Sequence, residues 1–174
     1  MGQVQHFSRF TEFDIHLFRQ GKHFSLYEKL GSHPETLDGK AGTYFAVWAP
    51  NAVFVSVVGN FNDWDRNSHA LILRSDGSGI WEGFIEGVGK GTLYKYFVLG
   101  ANGKPFEKGD PYALFWETPP KTASIVWDLD FAWKDKKWLQ SRKEKNDHRA
   151  PMSVYEVHLG SWRKKANGDS YSYK

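Results

Sequence analysis

Between Thr43 and Gly100 the sequence repeats one device: TYFAVWA, VFVSVVG, ALILR, IWEGFIE and LYKYFVLG are short runs of β-branched and aromatic residues, each closed by Pro, Gly, Asn or Asp. Runs this short, punctuated this often, read as strands joined by turns. Inside them side chains alternate. Val53, Val55 and Val57 interleave with Phe54, Ser56 and Val58, and Tyr94, Tyr96 and Val98 with Leu93, Lys95, Phe97 and Leu99, so each strand offers one set to each face of a sheet. After the irregular stretch ANGKPFEKGDPYALFWETPP, TASIVWD (Thr122 to Asp128) supplies the last strand. The pattern predicts an all-β fold, a β-sandwich over residues 40–130.

Composition agrees. Gly (17), Trp (8), Tyr (8) and Phe (13) suit short strands and tight turns. No cysteine is present, which excludes disulfides, thiolate zinc sites and cysteine nucleophiles and is compatible with a reducing cytoplasm. The formal charge is only +3, and the basic stretch KDKKWLQSRKEKNDHR is interrupted by Asp135, Glu144 and Asp147, the pattern of a solvated linker or helix face rather than a nucleic-acid contact. The N-terminus carries no apolar block of signal-peptide length, and no stretch approaches a membrane span, so a soluble, cytoplasmic chain without a membrane partner is expected.

Helices are expected at the flanks. In TEFDIHLFRQG, Thr11 and Asp14 form a capping box, Phe13, Leu17 and Phe18 fall near one face, and Gly21 terminates. SLYEKLG repeats the device with Ser25 and Glu28 as the box, Leu26, Tyr27 and Leu30 as anchors, and Gly31 as the stop. Together they predict a helical arm over residues 1–39. Beyond the sandwich, Asp135 caps a linker helix within residues 131–150, and PMSVYEVHLGSW opens a segment, 151–174, whose first element reads as a strand.

One loop invites a chemical reading. GNFNDWD closes the second run with a turn that displays Trp64 among Asn60, Asn62 and two aspartates. An exposed indole stacks well on the C–H face of a sugar ring while Asn and Lys side chains bond its hydroxyls. The competing reading folds Trp64 back over the sandwich edge. Asp63 and Asp65 lack the ligand series of a calcium loop, the histidines are scattered without an HExxH spacing, and no GxSxG or phosphate-cradling motif occurs, so neither metal nor cofactor is expected.

The ordered set LYEKLGSHP, GTYFAVWAPNA, VSVVGNFNDWD, SGIWEGFI, LYKYFV, KGDPYA and SVYEVHLGSW resembles the N-terminal region of bacterial glycogen branching enzymes. The resemblance implies an immunoglobulin-like sandwich of early-set type, a family 48 carbohydrate-binding module, followed by an α-amylase-type (β/α)8 barrel whose first strand is SVYEVHLGSW. It implies that the parent enzyme cleaves α-1,4-glucan and rejoins it through α-1,6 branch points with a retaining carboxylate pair. That pair lies on later barrel strands, so no catalytic residue is carried over here, and Glu156 takes a structural or substrate-side role. The carbohydrate-binding residues implied are Trp64 and Lys95, with Asn62 beside them and Phe106 standing where stronger binders carry a second Trp. The partners implied are glycogen or another α-1,4-glucan and the chain's own barrel. An alternative keeps the sandwich as a scaffold that docks on the barrel without gripping sugar.

Overall fold

A computed structural model describes residues 4–171. The chain divides into two compact units, residues 1–130 and 131–174. The first holds all the named strands, β1 (Val4–Gln5), β2 (Gly31–Leu37), β3 (Lys40–Trp48), β4 (Ala52–Gly59), β5 (Ile72–Leu73), β6 (Ile80–Glu86), β7 (Leu93–Gly100), β8 (Pro105–Lys108), β9 (Phe115–Trp116) and β10 (Ser124–Ile125), together with α1 (Glu12–Arg19). The second holds α2 (Lys136–Lys145) and α3 (Leu159–Trp162).

The strands form two antiparallel sheets. One runs β1-β6-β3-β2 with β5 also on β6, and the other β4-β7-β10-β9 with β8 also on β7. Phe45, Val55, Val57, Leu71, Trp81, Ile85, Tyr94, Tyr96 and Val126 fill the space between them. The alternation in β7 therefore reads true: Tyr94 and Tyr96 enter the core with Val98 packed against it. In β4 the outer set is covered as well, because Ser56 Oγ donates to the Arg66 carbonyl at 2.7 Å and the loop after β4 folds over it.

A second cluster lies on the other face of the first sheet, where Tyr44, Ala46 and Ile80 meet Phe10, Ile15 and Leu30. This explains why TYFAVWA shows no polar alternation: Phe45 faces one core and its neighbours Tyr44 and Ala46 the other, so the strand is buried on both sides. Helix α1 is thus a third layer rather than a loose arm. Its capping box forms as the sequence predicts, Thr11 Oγ1 accepting from the Asp14 amide at 3.2 Å and Asp14 Oδ2 accepting from the Thr11 amide at 2.8 Å. Gly21, at φ +66°, follows the end of the helix. A buried group of charges ties the same layer down. Glu82 accepts from the Tyr44 hydroxyl at 2.5 Å, from Arg74 at 2.6 Å and from Ser8 at 2.9 Å.

Several expectations need correction. Phe13 is exposed, and the helix is anchored by Ile15. Ser25 makes no side-chain cap, and SLYEKLG folds only as a 3-10 turn over Leu26–Glu28. The segment read as a helical arm contains β2, an edge strand whose Pro34 sits opposite Thr43, where a missing N–H costs little. In the second unit α2 forms, but Asp135 does not cap it through its side chain. SVYEVHLGSW is not a strand: residues 151–158 have no regular structure and Leu159–Trp162 make one helical turn. A strand exists only through its partner, and among the described residues none pairs with Val154–Val157.

Candidate functional site

The candidate site lies on the outer face of the second sheet, where β4 and β7 position its residues. They pair in register, with Val58 opposite Lys95 and Gly59 opposite Tyr94. The chain then turns sharply. Gly59 is needed at that corner because a Cβ there would stand 2.2 Å from the Leu93 carbonyl oxygen. The Gly59 carbonyl accepts from Asn62 N–H at 3.2 Å and from Trp64 N–H at 3.0 Å. Asn60 stitches the turn to β7, its Oδ1 accepting from the Leu93 amide at 3.2 Å.

Two consecutive residues of this turn are left-handed, Asp63 at φ +52° and Trp64 at φ +59°. Asp tolerates that conformation well; for a side chain as bulky as Trp it is an outlier, and outliers of this kind gather where a structure holds a residue for a purpose. The Trp64 side chain shares a surface with Leu93 and Lys95 of β7. Trp64 remains 38% exposed, so it does not close the sandwich core.

Trp64 lines a shallow depression of about 390 Å³ together with Lys95, Leu93, Glu107, Lys121 and Thr122. Sheet alternation explains the company: Lys95 and Phe97 point to the outer face, and Glu107, paired with Phe97, points the same way. Lys95 Nζ donates to Thr122 Oγ1 at 2.8 Å. Glu107 accepts from Arg66 Nε at 2.7 Å. On the far wall Glu117 accepts from the Ala123 amide at 3.2 Å and lies 3.5 Å from Lys121. The depression therefore presents a flat apolar ring beside an ammonium, a hydroxyl and carboxylates, a set matched to a sugar's C–H face and its hydroxyls.

Of the four residues expected to bind, the structure brings Trp64 and Lys95 together. Asn62 is engaged within the loop: its Oδ1 accepts from the Gly59 amide at 2.9 Å, and its Nδ2 donates to the Val57 carbonyl and His69 Nδ1, both at 3.0 Å. It builds the turn, and both of its Nδ2 hydrogens are spent there. Phe106 lies on the face of the hairpin opposite Glu107. It pairs with Val98, whose side chain belongs to the core side of β7, and it lines a separate depression with Pro50, Asn51 and Asn102. Sequence reading missed Glu107, Lys121 and Thr122. Glu107 follows Phe106 and needed only the opposite parity of the β7–β8 pairing, whereas Thr122 comes from a loop whose neighbours no local pattern announces.

Among the described residues there is no group of three or more His, Cys, Asp or Glu side chains placed to hold a metal ion. Glu156 is exposed in the second unit. No helix is long and apolar enough to cross a membrane among those residues.

Residues 29–113 match a family model described as carbohydrate-binding module 48 (isoamylase N-terminal domain). The chain is 48% identical over 161 residues to the 1,4-alpha-glucan branching enzyme GlgB of Aquifex aeolicus, covering 92% of this chain and 25% of that enzyme. It is 53% identical over 155 residues to the enzyme of the same name from Thermosynechococcus vestitus, covering 88% of this chain and 20% of the other. The chain thus spans a quarter or less of the length of these two relatives. Among solved structures, the apo pullulanase from Klebsiella pneumoniae is 27% identical with a TM-score of 0.47, over 62% of this chain and 12% of that one.

Proposed function

We propose that the sandwich, a module of the carbohydrate-binding 48 type by its match over residues 29–113, binds α-1,4-linked glucan on the Trp64–Lys95 face. One observation carries this reading: a Trp in a strained left-handed conformation shares one depression with the Lys and Thr side chains of facing elements. A glucose unit stacks on the indole, and Lys95, Thr122 and Glu107 bond its hydroxyls. A single aromatic platform with a few exposed hydrogen bonds implies roughly millimolar affinity, about 4 kcal/mol.

The larger role is proposed from the relatives. In a protein organised like them, the module holds glucan chains for an enzyme that forms α-1,6 branch points, and it works in the cytoplasm on glycogen or a similar polymer. The second unit then leads into the catalytic part, and no residue of this chain serves as nucleophile or acid/base.

Titration of the ¹⁵N-labelled chain with maltoheptaose, followed at the indole N–H signals, tests the binding. Saturable shifts at Trp64 and Lys95, lost in Trp64→Ala while the remaining spectrum persists, are expected. Absence of any shift at high millimolar sugar overturns the binding reading. It would leave the scaffold alternative, which the exposed apolar strip Leu114, Phe115 and Trp116 on the β9 edge favours.

A further inference from the structure

Trp64 is held by a hydrogen-bonded knot at the base of its loop, and one member of that knot can take up a proton. The Asn62 amide has only one workable orientation there. The Gly59 N–H needs an acceptor, so Oδ1 faces it, and the Val57 carbonyl needs a donor, so Nδ2 faces that. The second Nδ2 hydrogen then meets His69 Nδ1 at 3.0 Å. A donor requires a lone pair opposite, so Nδ1 is unprotonated and the neutral ring carries its hydrogen on Nε2. Ser68 Oγ lies 2.6 Å from the same nitrogen. His69 is left-handed too, at φ +52°, its ring meets Phe61 edge-on at 5.0 Å, and its carbonyl accepts from Val57 N–H at 3.1 Å. Both ends of the Trp64 loop converge on this imidazole.

We propose that His69 is the positioning residue of the Trp64 platform: its neutral Nδ1 locks Asn62, and a proton on that nitrogen releases the loop and weakens glucan binding. Protonation sets an N–H against the Asn62 NH₂ across 3.0 Å and leaves Ser68 Oγ, 2.6 Å away, as the acceptor for it, so Nδ1 gives up its bond to Asn62 for one to the hydroxyl. With that bond gone, the strained pair Asp63 and Trp64 loses part of what holds it. Burial first, and the charge of the N-terminal amine second, lower the His69 pKa from the ordinary 6.5, and Asp65 on the same loop pulls it the other way. Asp63 and Arg66 are the other charged side chains of the loop, Arg66 being engaged by Glu107, and β4 meets the loop through backbone groups and the uncharged Ser56 side chain. The lock is closed while the ring is neutral and opens as acidification protonates it, at a lower pH than an ordinary imidazole requires.

The inference takes its ligand from the proposed glucan function, but the lock itself is testable without sugar. The labelled chain is titrated from about pH 8 to about pH 5, recording the His69 ring nitrogens and the Trp64 indole and backbone signals. The Nε2–H tautomer is expected at the high end, with Trp64 signals moving at the His69 midpoint. A hydrogen on Nδ1 at high pH, or Trp64 signals indifferent to that titration, overturns the proposal. With maltoheptaose, acidification should lower affinity roughly two- to tenfold, the weight of one hydrogen bond. His69→Gln, which does not titrate, should bind without that pH dependence; should it fail to fold, the wild-type ring measurement still decides. Sugar bound equally well across the titration overturns the regulatory claim. If ring and loop titrate together but no sugar binds at any pH, the glucan reading falls and the lock stands.

Discussion

The Tyr94 hydroxyl donates to Asp110 Oδ2 across 2.6 Å at a carboxylate with no exposed surface. Tyr96 donates to the same oxygen at 3.3 Å, and the Tyr112 amide to Oδ1 at 2.8 Å. The KGDPYA segment is thereby fastened to the inner face of β7, directly beneath the Trp64 and Lys95 surface. Burial pushes the Asp110 pKa up, and the three donors only partly offset it. Removing one donor leaves a buried carboxylate short of a partner. Tyr94→Phe is expected to cost about 1–3 kcal/mol at neutral pH, measured by urea unfolding.

The same carboxylate sets a pH trend. Because its folded pKa is raised, its contribution is fully present below the unfolded value of 3.8 and lost as pH rises through the folded one. Asp110→Asn cannot ionise. Its stability deficit relative to wild type is expected to shrink as the pH of the unfolding experiment rises from 3.8 toward neutrality; a deficit that grows over that interval contradicts the raised pKa.

His33 works in the opposite sense. Burial first, and the nearby Arg9 charge second, lower its pKa to about 4, while its Nε2–H donates to the Leu30 carbonyl at 3.0 Å. A lowered pKa gives stability that is present above 6.5 and lost as pH falls toward 4. Denaturation midpoints taken across that interval should therefore decline in wild type and decline less steeply in His33→Gln.

At the platform, backbone strain and function separate cleanly. Trp64→Ala and Trp64→Gly should both abolish maltoheptaose binding. The Gly variant should be the more stable of the two by roughly 1 kcal/mol, because only Gly occupies the left-handed region without penalty. Thermal melts of the pair decide it, and a more stable Ala variant would show that the backbone there is not strained.

Gly59→Ala puts a methyl group 2.2 Å from the Leu93 carbonyl oxygen and 2.8 Å from the Phe61 ring. A destabilisation of about 1–3 kcal/mol is expected, the range for overpacking, together with displaced Trp64 signals.

The sandwich was legible wherever a strand kept the period of its sheet, as in β7, and wherever local chemistry closes on itself, as in the Thr11 and Asp14 box. It was illegible where a partner decides the outcome. β2 reads GSHPETL, polar and broken by Pro, and becomes a strand because β3 lies beside it. VYEVHLGSW has the composition of a strand and pairs with none among the described residues. The site divides the same way. Trp64 was legible from a turn sequence that displays it. That Asn62 builds the turn rests on three hydrogen bonds that composition does not encode.

The β7–β8 hairpin extends this to register. Its turn, Gly100 to Lys104, joins strands in which Leu99 lies opposite Pro105, and that pairing sets Glu107 and Phe106 on opposite faces of the hairpin, both exposed. Parity is all that separates the two outcomes. A slip of one residue in the register between β7 and β8 exchanges them, setting a ring beside Trp64 where an acid now stands. A second ring beside Trp64 is thus one step of register away, and no change of side chain is needed to reach it.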